Sequence, residues 1–348
     1  MLSFSRKTFE KSEGGGAAPT PVEPPRRRPI VGLALGAGAA RGWSHIGVLR
    51  ELAAQGLKPD IVAGTSIGAV VGGCYVGGKL DALESFARSL SRRRIFSLMD
   101  VSFSGSGLIG GTRLKALLND ALADARIEDM KTGFAAVATE MGSGHEVWLS
   151  RGHLVDAVRA SYALPGIFEP VHVSGRWLFD GALVNPVPVT VCRALGAELV
   201  IAVNIISDTL FRGTVISDQL VFDRTLHTIG EKAAEVAAAP DAPGFFTGMR
   251  GRASSLRRQF GSHDSGAPGI ASAMMDAFNI TQDRIARSRL AGDPPDVMIS
   301  ARLGKIGLFD FHRAEELIAM GRDAARRAIP DIAEHIALMP TGGDVSAI

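Results

Sequence analysis

A short glycine-flanked turn limits the folds that are open to this chain. Residues Gly64-Thr65-Ser66-Ile67-Gly68 follow the apolar residues 61–63 and precede a helix-like apolar run. A sharp strand-to-helix turn leaves no room for a Cβ on either side, so it needs glycine at both flanks. Ser66 is then exposed at the tip, near the positive end of the following helix. The pentapeptide predicts a nucleophilic serine, although ordinary small-residue turns also contain such a pattern.

Strand-like and helix-like segments alternate from residue 30 onward. Residues 30–35 form a continuous apolar run that ends in glycines, which is typical of a buried parallel strand. A helix ending near Gly56, a second strand at 61–63 and a helix at 67–75 follow. This β-α-β-α order predicts an α/β sheet with helices on both faces. Further helices are predicted at 80–90, 112–122, 154–161, 189–195, 219–238, 271–290 and 314–328, and further strands at 134–139, 146–149, 171–173, 176–179, 199–204 and 297–300.

The loop after the first strand is the second strong signal. Residues 36–42 are glycine-rich and open a helix, an arrangement that gathers unpaired backbone N–H groups for a phosphate or an oxyanion. A dinucleotide fingerprint needs a third glycine one place before Gly42 and an acidic residue after the second strand. Neither is present, and the lysine of a P-loop is also missing. An anion-stabilising loop that works with Ser66 fits better. The four residues expected to line this loop are Gly36, Ala37, Gly38 and Ala39.

An acidic residue at the end of a later strand is the candidate base. Asp180-Gly181 follows Trp177, Leu178 and Phe179. Although Asp-Gly is a common turn, a carboxylate beside such an apolar wall is partly desolvated, which raises its pKa toward the range that suits a base.

The histidines offer an alternative base. In a Ser-His-Asp triad of the α/β-hydrolase order the histidine would follow Asp180, and His312 is the one attractive candidate. Its neighbour Asp310 is also explained as a helix cap. His45, near the glycine-rich loop, and the remaining histidines are expected to pack or lie at the surface.

Composition excludes several function classes. The 348 residues include 38 basic and 36 acidic residues, so no overall basic field indicates nucleic-acid binding. The two cysteines, Cys74 and Cys192, lie in apolar contexts that favour neither a disulfide nor a zinc site, and we expect no metal and no cofactor. No apolar stretch is long enough to span a bilayer.

The chain divides into five predicted segments. We expect a disordered tail at 1–29, a catalytic domain at 30–205, a variable insert or lid at 206–270, C-terminal α/β elements at 271–335, and a tail at 336–348. Residues 245–260 mix basic and apolar side chains, which is typical either of a solvated loop or of an amphipathic contact with an anionic membrane. The cysteine usage fits a reducing compartment, so we expect a cytoplasmic protein and leave peripheral contact with the inner membrane surface open. The oligomeric state is not predicted.

Taken together, these motifs resemble the patatin-like phospholipases. The resemblance rests on residues 36–42, 64–68 and 180–182, and on a block from Arg159-Ala160-Ser161 through Pro165, Phe168 and Pro170. It spans residues 30–205 in matching order and spacing. Residues 293–296 and 310–316 are similar to the bacterial RssA-type subgroup.

The resemblance implies a three-layer α/β/α domain with a mainly parallel sheet and a mostly helical C-terminal extension. It also implies a lipid acyl hydrolase with a Ser-Asp dyad, in which Ser66 is the nucleophile and Asp180 the base. Two positions depart from the usual pattern, because Ala37 and Ala182 each replace a glycine. A Ser-His-Asp esterase and a lipid-binding regulatory protein with little turnover remain the alternatives. The supporting motif positions are Arg41, Gly42, Gly64, Gly68 and Gly181.

Overall fold

The computed structural model describes residues 28–91, 118, 119, 122, 124–206, 270–304 and 306–339. Some of the predicted segments lie outside these ranges. They are most of the helix at 112–122, the helix at 219–238, nearly all of the insert at 206–270 with its basic segment at 245–260, and most of both tails.

The described strands form one eight-stranded sheet whose central strands are parallel. Every residue of the first two strands is buried, as expected for continuous apolar runs that are covered on both faces. In chain order the strands are β1 (Val31–Leu35), β2 (Ile61–Thr65), β3 (Gly133–Glu140), β4 (Glu146–Leu149), β5 (Val171–Val173), β6 (Arg176–Asp180), β7 (Leu199–Asn204) and β8 (Val297–Ser300). Their order in the sheet is β5-β6-β3-β2-β1-β7-β8, and β4 pairs with β3.

Helices cover both faces of this sheet, which confirms the three-layer α/β/α prediction. Alternate strand residues point to opposite faces: Leu33 packs in one core cluster and Ala34 in another. The helices are α1 (Trp43–Ala54), α2 (Ile67–Val76), α3 (Leu80–Arg88), α4 (Leu154–Ser161), α5 (Val189–Ala194), α6 (Ile270–Gly292) and α7 (Ala314–Leu338). Helices α1 to α4 and α7 pack on the Leu33 side, whereas α5 and α6 pack on the Ala34 side. Within the described ranges, no helix is long and apolar enough to cross a membrane.

The last helix is longer than predicted. Helix α7 runs to Leu338, whereas the sequence pattern predicted an end at residue 328. Proline commonly ends or kinks a helix, and Pro330 lies within the added part. The helix continues through Pro330, and Ile332 beyond it is completely buried in the core. Tertiary packing therefore outweighs the local preference of proline.

The strand order places the glycine-rich loop at a special point of the sheet. From β1 the chain proceeds to β2 and β3 on one side, and it later returns to β7 and β8 on the other side. The loop that follows β1 therefore lies where the strand order reverses, at the carboxyl ends of the parallel strands. Open α/β sheets bind their ligands at such a switch point.

Candidate active site

Ser66 occupies a tight turn between β2 and α2. Its backbone has φ 57° and ψ −122°, a conformation that costs an L-residue energy and that is common at functional sites. Both flanking glycines are required by close backbone contacts. A Cβ at Gly64 would lie 2.6 Å from the Ala69 backbone, and one at Gly68 would collide with the Leu35 carbonyl oxygen. The turn therefore holds Ser66 at the start of α2, where the helix dipole is positive.

Ser161 fixes the backbone of this turn from the side. Its Oγ accepts a hydrogen bond from the Ser66 amide at 2.9 Å, and the Ser161 residue itself is completely buried at the end of α4. The strained conformation of Ser66 is thus supported by a residue that lies far away in the sequence. Ser161 belongs to the block from Arg159 onward that carried the family resemblance, but no separate role was predicted for it.

Strand register brings Asp180 to the end of β2. On β3, Val137 pairs with Thr65 of β2, and the next residue, Ala138, pairs with Asp180 of β6. Both β3 residues also pair with β4, which occupies the opposite edge, so β2 and β6 share one edge of β3. The carboxyl ends of β2 and β6 consequently meet there.

The two side chains are in direct contact. Ser66 Oγ donates to Asp180 Oδ2 at 2.6 Å, and the Ala182 amide donates to Asp180 Oδ1 at 2.8 Å. Asp180 is 2% exposed, and its burial raises the pKa of the carboxyl from 3.8 to about 7, although both hydrogen bonds act in the other direction. A Cβ at Gly181 would collide with the Val137 carbonyl oxygen, so only glycine allows this turn. The alanine at 182 leaves the turn able to orient the carboxylate, because only its amide is used.

The four residues of the glycine-rich loop are not equivalent. The Gly36 amide donates to the Val203 carbonyl at 3.1 Å, and the Ala37 amide donates to the Pro186 carbonyl at 2.9 Å. The amides of Gly38 and Ala39, in contrast, donate to no group in the described part of the chain. These two residues have φ 157° and φ 50°, which turns the chain sharply before α1. The loop thus offers two amides rather than four.

Arg41 and Gly42 support the loop. Arg41 Nε donates to the Ile306 carbonyl oxygen at 3.0 Å, so this side chain ties the loop to the C-terminal segment. A Cβ at Gly42 would collide with the side chain of Ile67, so glycine lets the start of α1 approach the start of α2.

Comparison with known proteins places the chain in a family. The patatin-like phospholipase family model matches residues 33–193. An NTE family protein of Mycobacterium tuberculosis is 34% identical over 332 residues, which cover 86% of this chain and 91% of that protein. The chain belongs to the patatin-like phospholipase family.

Two further matches cover a smaller share of the matched protein's own length. A lysophospholipase of Yarrowia lipolytica, NTE1, is 33% identical over 186 residues, which are 51% of this chain and 13% of that protein. The crystal structure of VipD from Legionella pneumophila aligns with a TM-score of 0.47 at 13% identity, covering 88% of this chain and 67% of that one.

Among the described residues of this patatin-like domain, no histidine takes part in the serine–aspartate contact. His312 is in the short 3-10 turn Phe311–Arg313, whose Phe311 packs edge-on against Trp43. Within the described ranges, the polar partners of Ser66 and Asp180 include no histidine. His45 lies instead behind the glycine-rich loop, with its Nε2 2.8 Å from the Gly36 carbonyl oxygen. No group of three or more potential metal ligands occurs among the described residues.

Proposed function

We propose that this patatin-like domain hydrolyses acyl esters of lipids, with Ser66 as the nucleophile and Asp180 as its base. The observation that carries the proposal is the 2.6 Å hydrogen bond from Ser66 Oγ to Asp180 Oδ2. In a Ser-His-Asp triad an imidazole lies between the two, whereas here the hydroxyl donates directly to the carboxylate. The family membership and the name of the lysophospholipase relative support a lipid as the substrate class.

The reaction needs two acyl-transfer steps. Ser66 Oγ attacks the ester carbonyl carbon, its proton passes to Asp180 Oδ2, and the carbonyl oxygen becomes an oxyanion. When the tetrahedral intermediate collapses, the protonated Asp180 gives this proton to the leaving alkoxide, and the acyl group stays on Ser66. A water molecule then attacks the acyl-enzyme, loses a proton to Asp180, and releases the free fatty acid as Ser66 recovers its proton.

The environment of Asp180 suits this exchange. A pKa of about 7 lies close to neutral pH, so the carboxyl can both accept and return a proton during one turnover. The Ala182 amide on Oδ1 holds the carboxylate plane so that Oδ2 faces the serine.

We assign the oxyanion donors to the amides of Gly38 and Ala39. The Gly36 and Ala37 amides already donate to carbonyl groups and form the frame of the loop. The start of α2 adds the positive end of its dipole beside Ser66. Loss of one such donor typically reduces the rate about 10²–10³-fold.

Membrane contact through the segment at 245–260 stays a prediction, because this segment lies outside the described residues. Sedimentation with anionic vesicles tests it: neutralising Arg250, Arg252, Arg257 and Arg258 together should weaken the binding, and unchanged sedimentation would contradict it. The bacterial RssA-type subgroup likewise stays a prediction.

Hydrolysis of 4-nitrophenyl butyrate and of a panel of lysophospholipids tests the proposed chemistry. Wild type should turn over the ester, and Ser66→Ala and Asp180→Asn should each lose on the order of 10³-fold or more in kcat. His312→Ala serves as the control and should keep its activity. Loss of activity in His312→Ala with retention in Asp180→Asn would favour the triad. A folded wild type that neither hydrolyses esters nor reacts with a fluorophosphonate would favour a binding protein.

A further inference from the structure

His45 is a buried polar side chain that the proposed mechanism does not use. It lies on α1, is completely buried, and has its Nε2 2.8 Å from the Gly36 carbonyl oxygen. Because a carbonyl oxygen can only accept, Nε2 must carry a proton, and in the neutral ring Nδ1 then carries none. That nitrogen, Nδ1, has no hydrogen-bond partner within the described residues.

Such a side chain is a poor choice for packing alone. A buried polar nitrogen without a partner destabilises a protein relative to an apolar side chain of similar size. Burial also lowers the pKa of His45 to about 4, so the ring is neutral at neutral pH and has a single N–H to donate. That one donor is directed at Gly36.

The Gly36 carbonyl belongs to the peptide group that precedes the free amides. Its oxygen accepts from His45, and the N–H of the same peptide group, on Ala37, donates to the Pro186 carbonyl at 2.9 Å. This peptide group is therefore held from both edges. Its orientation determines where the next two N–H groups, on Gly38 and Ala39, are aimed.

We propose that His45 is a positioning residue of the oxyanion loop, whose hydrogen bond to the Gly36 carbonyl fixes the direction of the Gly38 and Ala39 amides. The inference rests on the proposed function, since it assigns His45 to the same site. His45 touches no reacting atom and acts through the loop. Without the His45 donor, the peptide group at Gly36 keeps only the bond from the Ala37 amide to the Pro186 carbonyl, so the directions of the Gly38 and Ala39 amides are less well defined.

Three substitutions separate positioning from packing. His45→Leu removes the donor and keeps the bulk, whereas His45→Gln places an amide N–H near the position of Nε2. His45→Asn keeps polarity but is too short to reach Gly36. His335→Leu is the matched control, because the ring of His335 also lies 2.8 Å from a backbone carbonyl, that of Asp331, but at a half-buried position on α7.

Two kinetic readings are expected to change together. In His45→Leu and His45→Asn, kcat on 4-nitrophenyl butyrate should fall about 10–100-fold with little change in KM. The inhibition constant of an alkyl trifluoromethyl ketone, whose adduct places an oxyanion in the loop, should rise by a similar factor. His45→Gln should recover most of both values, and His335→Leu should match wild type. Thermal unfolding of each variant shows whether activity is lost without loss of stability.

The outcomes are distinct. The inference would be overturned if His45→Leu kept the kcat and the inhibition constant of wild type. It would also be overturned if His45→Gln lost as much in both values as His45→Asn. The Gln and Asn pair decides the question even if the leucine variant does not fold. A wild type no more active than Ser66→Ala would instead refute the proposed function.

Discussion

The buried carboxylate of Asp180 should make the stability of this protein depend on pH in a defined direction. Its pKa is 3.8 in the unfolded chain and about 7 in the folded protein, because burial disfavours the charged form. The folded state therefore binds more protons than the unfolded state between these values, and stability falls as pH rises. At about 1.4 kcal/mol per pKa unit, the shift corresponds to about 4 kcal/mol in total, of which about 2.5 kcal/mol is lost between pH 5 and pH 8.

Urea denaturation of wild type and Asp180→Asn at a series of pH values measures this effect. An asparagine side chain does not titrate, so the difference between the two proteins isolates residue 180 from all other ionisable groups. The free energy of unfolding of Asp180→Asn should gain about 2.5 kcal/mol relative to wild type from pH 5 to pH 8. A difference that stays constant across this range, or that changes in the opposite direction, would refute the raised pKa and the desolvated carboxylate behind it.

Three further predictions concern the site. The same raised pKa of Asp180 predicts that kcat/KM decreases as the pH drops below about 7, with a slope that approaches tenfold per pH unit, because protonated Asp180 cannot accept a proton. A flat profile of kcat/KM from pH 5 to pH 8 would exclude Asp180 as the base. Ser161→Ala should reduce kcat and the rate of fluorophosphonate labelling about 3–10-fold, since the amide of Ser66 loses its partner. Unchanged rates would show that the turn keeps its conformation without the bond to Ser161. Gly68→Ala should abolish activity or folding, because its Cβ would collide with the backbone of Leu35. Gly292→Ala is the control, because a Cβ at Gly292 meets nothing within 4 Å. Equal effects of the two substitutions on activity and on circular dichroism would contradict the packing described for the turn.

Local sequence patterns were sufficient for the central strands and for the position of Ser66. Strands β1, β2 and β7 are apolar apart from Thr65 and Asn204 at the ends of β2 and β7, and such runs are stable only when both faces are covered. The glycines at 64 and 68 predicted a tight turn, and the close approach of Ala69 and Leu35 gives the steric reason. Asp180 was singled out by its motif, but its position beside Ser66 depends on the register of β6 along β3.

Hydrogen-bond partners from distant segments could not be predicted in this way. The sequence suggested four equivalent amides at 36–39, yet two of them donate to the carbonyls of Val203 and Pro186, which come from later parts of the chain. The bond between His45 and Gly36 has a partial sequence signal, because the histidine lies near the start of the helix that the loop opens. Its direction toward the loop depends on how α1 packs against the sheet.

Trapping of the acyl-enzyme tests most directly whether Ser66 reacts with the help of Asp180. Wild type is mixed with 4-nitrophenyl butyrate, quenched in acid within milliseconds to seconds, and digested for mass spectrometry. The butyryl group should appear on Ser66 in wild type, be absent from Ser66→Ala, and form on the order of 10³-fold more slowly in Asp180→Asn. A butyryl group on another residue, or wild-type formation in Asp180→Asn, would contradict the account.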